Sequence, residues 1–152
     1  MLEINFNNED TMYILGDVVD RGPESILALK HIAVTNNIFM LMGNHEQMML
    51  DAVTTGKREC LELWINNGGY ETFKGFYELP KEEQKEIITY LSELPYIRNV
   101  KVNAQNYVLV HAGINMGTNW RIFKGRLPTV STADIIKRQR VDDVLWIRNK
   151  FI

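Results

Sequence analysis

The sequence predicts an α/β fold, on three observations. Short apolar runs of strand length alternate with stretches of helical period through the first half. Runs of this kind stop at a glycine followed by a polar side chain, the habit of a strand that ends in a functional loop. After Pro95 the period changes, and two extended segments follow one another directly.

Thr11 to Leu15 (TMYIL) is the first apolar run, ending at Gly16-Asp17, and its length and content predict a buried strand. Pro23 opens a helical stretch that carries Ile26, Leu27, Leu29 and Ile32 and closes at Asn36-Asn37. Ile38 to Met42 (IFMLM) predicts a second buried strand, ending at Gly43-Asn44-His45. Glu46 to Val53 reads as helix, with Asn44 placed to cap it. Strand, helix, strand, helix is the order of a βαβ unit. Glu59–Ile65 and Tyr70–Tyr77 read as short helices divided by Asn66-Asn67-Gly68-Gly69, and Lys81–Leu94 as a longer one between two prolines. Tyr96–Val102 and Tyr107–Val110 predict two strands joined through residues 103–106, the second ending at His111-Ala112-Gly113. Beyond Asn115 the expected order is loop over Arg121–Pro128, helix over Thr132–Arg140 and a short strand over Val144–Ile147.

Composition narrows the class. The 152 residues fit one domain, 1–152, or part of a larger one. A 45% hydrophobic and 24% charged content is that of a globular chain able to bury a core. No apolar run approaches the roughly 20 residues that cross a membrane, and the N-terminus has no signal core. The lone Cys60 forms no internal disulfide, so a reducing cytoplasm is the expected compartment. A net charge of −2 speaks against a general nucleic-acid binder.

The chemistry sits at the strand ends. Three apolar runs stop at metal-competent side chains: Asp17, Asn44 and His111. In open α/β sheets, ligands gather at the carboxyl ends of strands, so neighbouring strands would aim these three into one cleft. Mixed oxygen and nitrogen ligation suits Mn, Fe or Zn better than Ca or Mg. Each piece alone has a plainer reading: Gly-Asp as a turn, Asn-His as a helix start, His as a hydrogen-bonded core residue. Between the first two runs, Arg21 offers a planar cation matched to a phosphoryl group. Asp20 is placed to orient His45 and favour its protonated form, which would make His45 a general acid. The plainer alternative is an exposed Asp20–Arg21 pair of little worth.

GDVVDRG at 16–22, GNHE at 43–46 and HAG at 111–113, in that order, resemble the phosphoprotein phosphatase branch of the calcineurin-like metallophosphoesterases. The longer GDVVDRGPES and NHEQMM segments are most similar to the bacterial serine/threonine protein phosphatase-like group. The resemblance implies a metallophosphoesterase β-sandwich flanked by helices. It implies two divalent metal ions, most often Mn²⁺ with Fe or Zn as alternatives, and direct attack by a hydroxide that they share. It assigns Asp17 to both metals and Asn44 and His111 to one, with Asn44 also near the phosphate. His45, oriented by Asp20, becomes the acid; Arg21 clamps the phosphate, and Arg148 is placed as a second phosphate-binding arginine. The implied substrate is a phosphoprotein or phosphopeptide, with no nucleic acid or membrane partner. A symmetrical bis(5′-nucleosyl)-tetraphosphate hydrolase and a non-catalytic phosphate- or protein-binding remnant stand as alternatives.

The family's Asp-x-His-Gly strand end and its later Gly-His strand end are absent here, since the histidines are His31, His45 and His111. The expectation is a fragment of a longer enzyme, its fold incomplete at both ends and its first metal site lacking ligands. Taken alone, it would show little or no phosphatase activity. The remaining features read as structure. His31 is a surface residue and Met40, Met42, Met48 and Met49 fill core. Trp64, Trp120 and Trp146 pack or line a cleft. Asn67-Gly68-Gly69 resembles a family turn near the cleft and is equally a helix break. Eight Lys or Arg against three Asp over residues 121–152 form a mildly basic stretch.

Overall fold

The first apolar run is less covered than its content predicts: Met12 to Ile14 are half-buried and Leu15 is exposed, whereas the second run is buried from Met40 onward. In the computed structural model, which describes residues 5–114, 137 and 139–147, β1 (Met12–Ile14) and β2 (Ile38–Met40) pair in parallel, with Met12 opposite Ile38 and Ile14 opposite Met40. The N–H of Leu41 still donates to the carbonyl of Ile14, at 2.9 Å. Met40, Leu41 and Met42 are consecutive and all buried, so this strand end is covered on both faces. Between the strands runs α1 (Ser25–Val34), and the expected βαβ order holds. Pro23 lies two residues before the helix rather than inside its first turn.

α2 (Asn44–Thr55) follows β2 almost without a loop. Its cap is the extended Gly43, so Asn44 and His45 stand in the first helical turn, and Asn44 is not the cap. Glu46, three residues after Gly43, folds its carboxylate back onto the Gly43 N–H at 3.1 Å. The helix ends at Gly56, whose φ of 63° is the left-handed value that glycine adopts cheaply.

α3 (Arg58–Trp64) and α4 (Tyr70–Glu78) are two short helices, as expected, divided at Asn66-Asn67-Gly68-Gly69. The chain kinks between them at Gly68, whose φ of 101° lies in the left-handed region and is not helical. α5 (Lys81–Glu93) buries Gln84, Ile87 and Leu91 along one side. Trp64, Phe76, Leu29 and Leu91 are at most 1% exposed and form the heart of this core. Each such burial stabilises the fold by about 1.5–3 kcal/mol before conformational entropy is counted.

The chain divides into two compact units, Met1–Leu94 and Pro95–Ile152. In the second, β3 (Ile97–Val102) and β4 (Gln105–Val110) form an antiparallel hairpin, with Ile97 opposite Val110 and Val102 opposite Gln105. The connection is two residues, not four. Asn103 and Ala104 take φ values of 47° and 66°, the type I′ geometry that matches strand twist. The expected strand at Val144–Ile147 is instead helix: α6 spans Val141–Trp146. Asp142 and Asp143 favour a helix N-terminus there, and the Asp143 carboxylate accepts the Arg140 N–H at 3.3 Å. Val144 and Leu145 are buried, and the Val144 carbonyl accepts the Ala112 N–H at 2.8 Å. The stretch expected as loop over Arg121–Pro128, and Arg148 and Trp120, lie outside the described residues; so does most of the expected helix over Thr132–Arg140. Among the described residues, no helix is long and apolar enough to cross a membrane.

Candidate active site

The segment after β1 is held in a conformation its sequence would not choose. Gly16, Asp17, Asp20 and Arg21 have φ values of 91°, 59°, 76° and 60°, and three of these four are not glycine. Each non-glycine residue there costs on the order of 1 kcal/mol. The compensation is a complete set of hydrogen bonds over five successive N–H groups. Those of Asp17 and Val18 donate to the Glu46 carboxylate at 2.8 Å each, and that of Val19 at 3.1 Å. The N–H of Asp20 donates to Thr72 Oγ1 at 2.9 Å, and that of Arg21 to the Gly68 carbonyl at 3.2 Å. α2 thus fixes the first half of the loop and the α3–α4 kink fixes the second.

Glu46 is fully buried, and the bonds it makes among the described residues are to backbone N–H groups. Burial pushes its carboxyl above the usual range, while the N–H groups of Val19, Asp17 and Val18 pull it back. It is a structural anion, and the composition of 43–46 gave only its family signature. The neighbouring Gly43 is required for space rather than conformation. A Cβ there would stand 2.5 Å from the Asp17 nitrogen and 2.7 Å from Asp17 Oδ1.

On this frame the candidate residues meet. His45 Nδ1 lies 2.6 Å from Asp20 Oδ2, both side chains almost wholly buried. An Arg21 terminal nitrogen lies 2.8 Å from His45 Nε2. A guanidinium has only donors, so Nε2 accepts and Nδ1 carries the ring hydrogen to Asp20. Asp20 receives a further donor, the Trp64 indole N–H, at 3.0 Å and 3.1 Å from its two oxygens. The Asp20–Arg21 pair is therefore not the exposed ion pair of the plainer reading: Asp20 is buried and turns to His45, and Arg21 caps the ring from the solvent side. Asp17 is exposed and its Oδ1 accepts the His45 N–H at 3.3 Å; Asn44, adjacent to His45, is buried.

Trp64 and Thr72 escaped sequence reasoning as site residues. The one signal near them was Asn67-Gly68-Gly69, which lies between the two in sequence and reads as a turn near the cleft. The third apolar run ends as expected at His111, but it pairs with β3, and His111 belongs to the second unit. Among the described residues, no three His, Cys, Asp or Glu side chains converge as a metal cluster. The first unit offers one carboxylate and one carboxamide, Asp17 and Asn44. Their hard oxygens fit a divalent cation such as Mn²⁺ or Mg²⁺ and fill only part of its shell.

The sequence profile of the calcineurin-like phosphoesterase family matches residues 2–150. The chain belongs to that family. It is 28% identical over 147 residues to serine/threonine-protein phosphatase 1 of Salmonella typhimurium, 95% of the chain and 58% of that protein. Serine/threonine-protein phosphatase 2 of Escherichia coli is 33% identical over 112 residues, 70% of the chain and 47% of that protein. The symmetrical bis(5′-nucleosyl)-tetraphosphatase of an Acidovorax species is 29% identical over 108 residues, 70% of the chain and 35% of that protein. The calcineurin-like chain thus spans between about a third and three fifths of the relatives it matches.

Proposed function

We propose that this chain carries the site of a metal-dependent phosphomonoester hydrolase of serine/threonine protein phosphatase type. The observation that supports this most is the buried Asp20–His45 pair with Arg21 at its open nitrogen. Asp17 and Asn44 are the residues that would hold a divalent ion; the further assignment of His111 rests on its His-Ala-Gly motif. When bound, such ions supply Lewis-acid polarisation of a phosphoryl group and activation of water.

The chain's own residues do the rest. Arg21 is exposed and permanently charged, and a phosphoryl group offers it a bidentate partner stronger than an imidazole nitrogen. Arg21 turning to the phosphate releases His45 Nε2. With Nδ1 bonded to the Asp20 carboxylate, the ring then accepts a proton at Nε2 and is stabilised as a cation. That proton is delivered to the departing alkoxide of serine or threonine. Substrate capture and readiness of the acid are thereby coupled through one side chain.

The reading is tested with p-nitrophenyl phosphate, a phosphoserine peptide and diadenosine tetraphosphate, each with Mn²⁺. Slow, Mn²⁺-dependent hydrolysis of the monoesters, lost in Asp17→Asn, is expected. Faster hydrolysis of the dinucleotide would favour the tetraphosphatase reading, which the Acidovorax relative keeps open. Phosphopeptide binding without Mn²⁺ binding or turnover would favour a non-catalytic module.

A further inference from the structure

The α3–α4 kink does more than join two helices. Three residues on one side of it, Trp64, Gly68 and Thr72, each bond to the Asp20–Arg21 dipeptide. Its two glycines are each required by that contact. Gly68 adopts φ 101°, and a Cβ there would stand 3.1 Å from Arg21 Cγ. A Cβ on Gly69 would stand 2.4 Å from Trp64 Cδ1 and Nε1, so only glycine leaves the indole where it is.

We propose that Trp64 and Thr72 are positioning residues that act through Asp20 on His45. The inference rests on the general-acid reading of His45 above, and neither residue touches a substrate. The Asp20 carboxylate stands on a residue with φ 76°, a strained conformation that the surrounding bonds must hold. Thr72 Oγ1 pins that backbone through the Asp20 N–H. The Trp64 N–H, shared between both carboxylate oxygens, fixes the rotation of the carboxylate plane. Oδ2 is thereby presented to Nδ1 at 2.6 Å. Trp64 is fully buried, and its indole N–H needs an acceptor. Here the N–H reaches the one carboxylate that orients the acid.

Three variants of the full chain separate the two roles. Trp64→Phe keeps an aromatic ring and drops the donor. Thr72→Val keeps the shape and drops the oxygen, and Thr72→Ser restores it. The first readout is the His45 Nδ1–H proton resonance, identified by its loss in His45→Gln. It is expected to move upfield or vanish by exchange in Trp64→Phe and Thr72→Val, and to return in Thr72→Ser. The second readout is turnover of a phosphomonoester with Mn²⁺: kcat falls about 10- to 100-fold while KM stays within about twofold. Folded Trp64→Phe and Thr72→Val proteins with an unmoved His45 resonance would overturn the proposal. Should Trp64→Phe fail to fold, the Thr72 pair decides it alone. Should the resonance respond as expected while the parent chain hydrolyses no monoester, the positioning role stands and the proposed activity falls.

Discussion

Single residues decide how the loop after β1 is held. Glu46 accepts four backbone N–H groups, counting that of Gly43, and no neutral side chain of its size can do so. A glutamine would turn its amide N–H₂ against donors already committed. Glu46→Gln is therefore expected to cost about 2–4 kcal/mol in urea unfolding, the scale for orphaned buried donors. Gly43→Ala adds one methyl against the Asp17 backbone nitrogen and the carboxylates of Glu46 and Asp17, which are held by their own hydrogen bonds. An expected loss of about 1–3 kcal/mol is readable by the same experiment. The buried charge also reaches Tyr90, whose phenol is raised above its ordinary value, first by burial and then by Glu46. A phenol raised on folding loses its proton in the unfolded chain first. The native state is therefore favoured less as pH climbs through the ordinary value toward the raised one. Stability should fall as pH climbs past the ordinary phenol value of about 10, and Tyr90→Phe should flatten that fall.

Elements were legible to the extent that their signal is local. The period of α1, α2 and α5, and the parallel pairing of two short apolar runs around a helix, follow from apolar spacing and glycine stops. The break between α3 and α4 was legible in its Gly-Gly pair, but what it bonds to was not: the Gly68 carbonyl accepts the Arg21 N–H, a partner far away in sequence. Val144–Ile147 read as strand because four apolar residues carry no period. The aspartates at 142 and 143 decide for helix from outside the run. The hairpin turn offers a clean test at this scale. Ala104 sits at φ 66°, where a Cβ is strained. Ala104→Gly should make an Asn-Gly type I′ turn and raise stability by about 0.5–1 kcal/mol, measured by thermal or urea unfolding of the full chain.

At the scale of the whole molecule, the candidate site has a legible outer part and an illegible inner one. Asp17, Asp20, Arg21, Asn44 and His45 stand at strand ends, where glycine and polar chemistry mark them in one dimension. The residues that hold them, Glu46, Trp64 and Thr72, look like ordinary helix and core residues until the fold brings them within hydrogen-bond reach of 17–21. Cation binding belongs to this scale too. An ion that binds only the native chain should stabilise it, by about 2.7 kcal/mol at a hundredfold excess over Kd. A rise in unfolding temperature with Mn²⁺, absent in Asp17→Asn, is the expected outcome. The central claim is that Asp20 equips His45 to protonate a leaving group, and the Asp20→Asn variant tests it most directly. With Mn²⁺ and a phosphoserine peptide, kcat should fall about 100-fold or more with KM little changed. An unchanged kcat in a folded, Mn²⁺-binding variant would contradict the account.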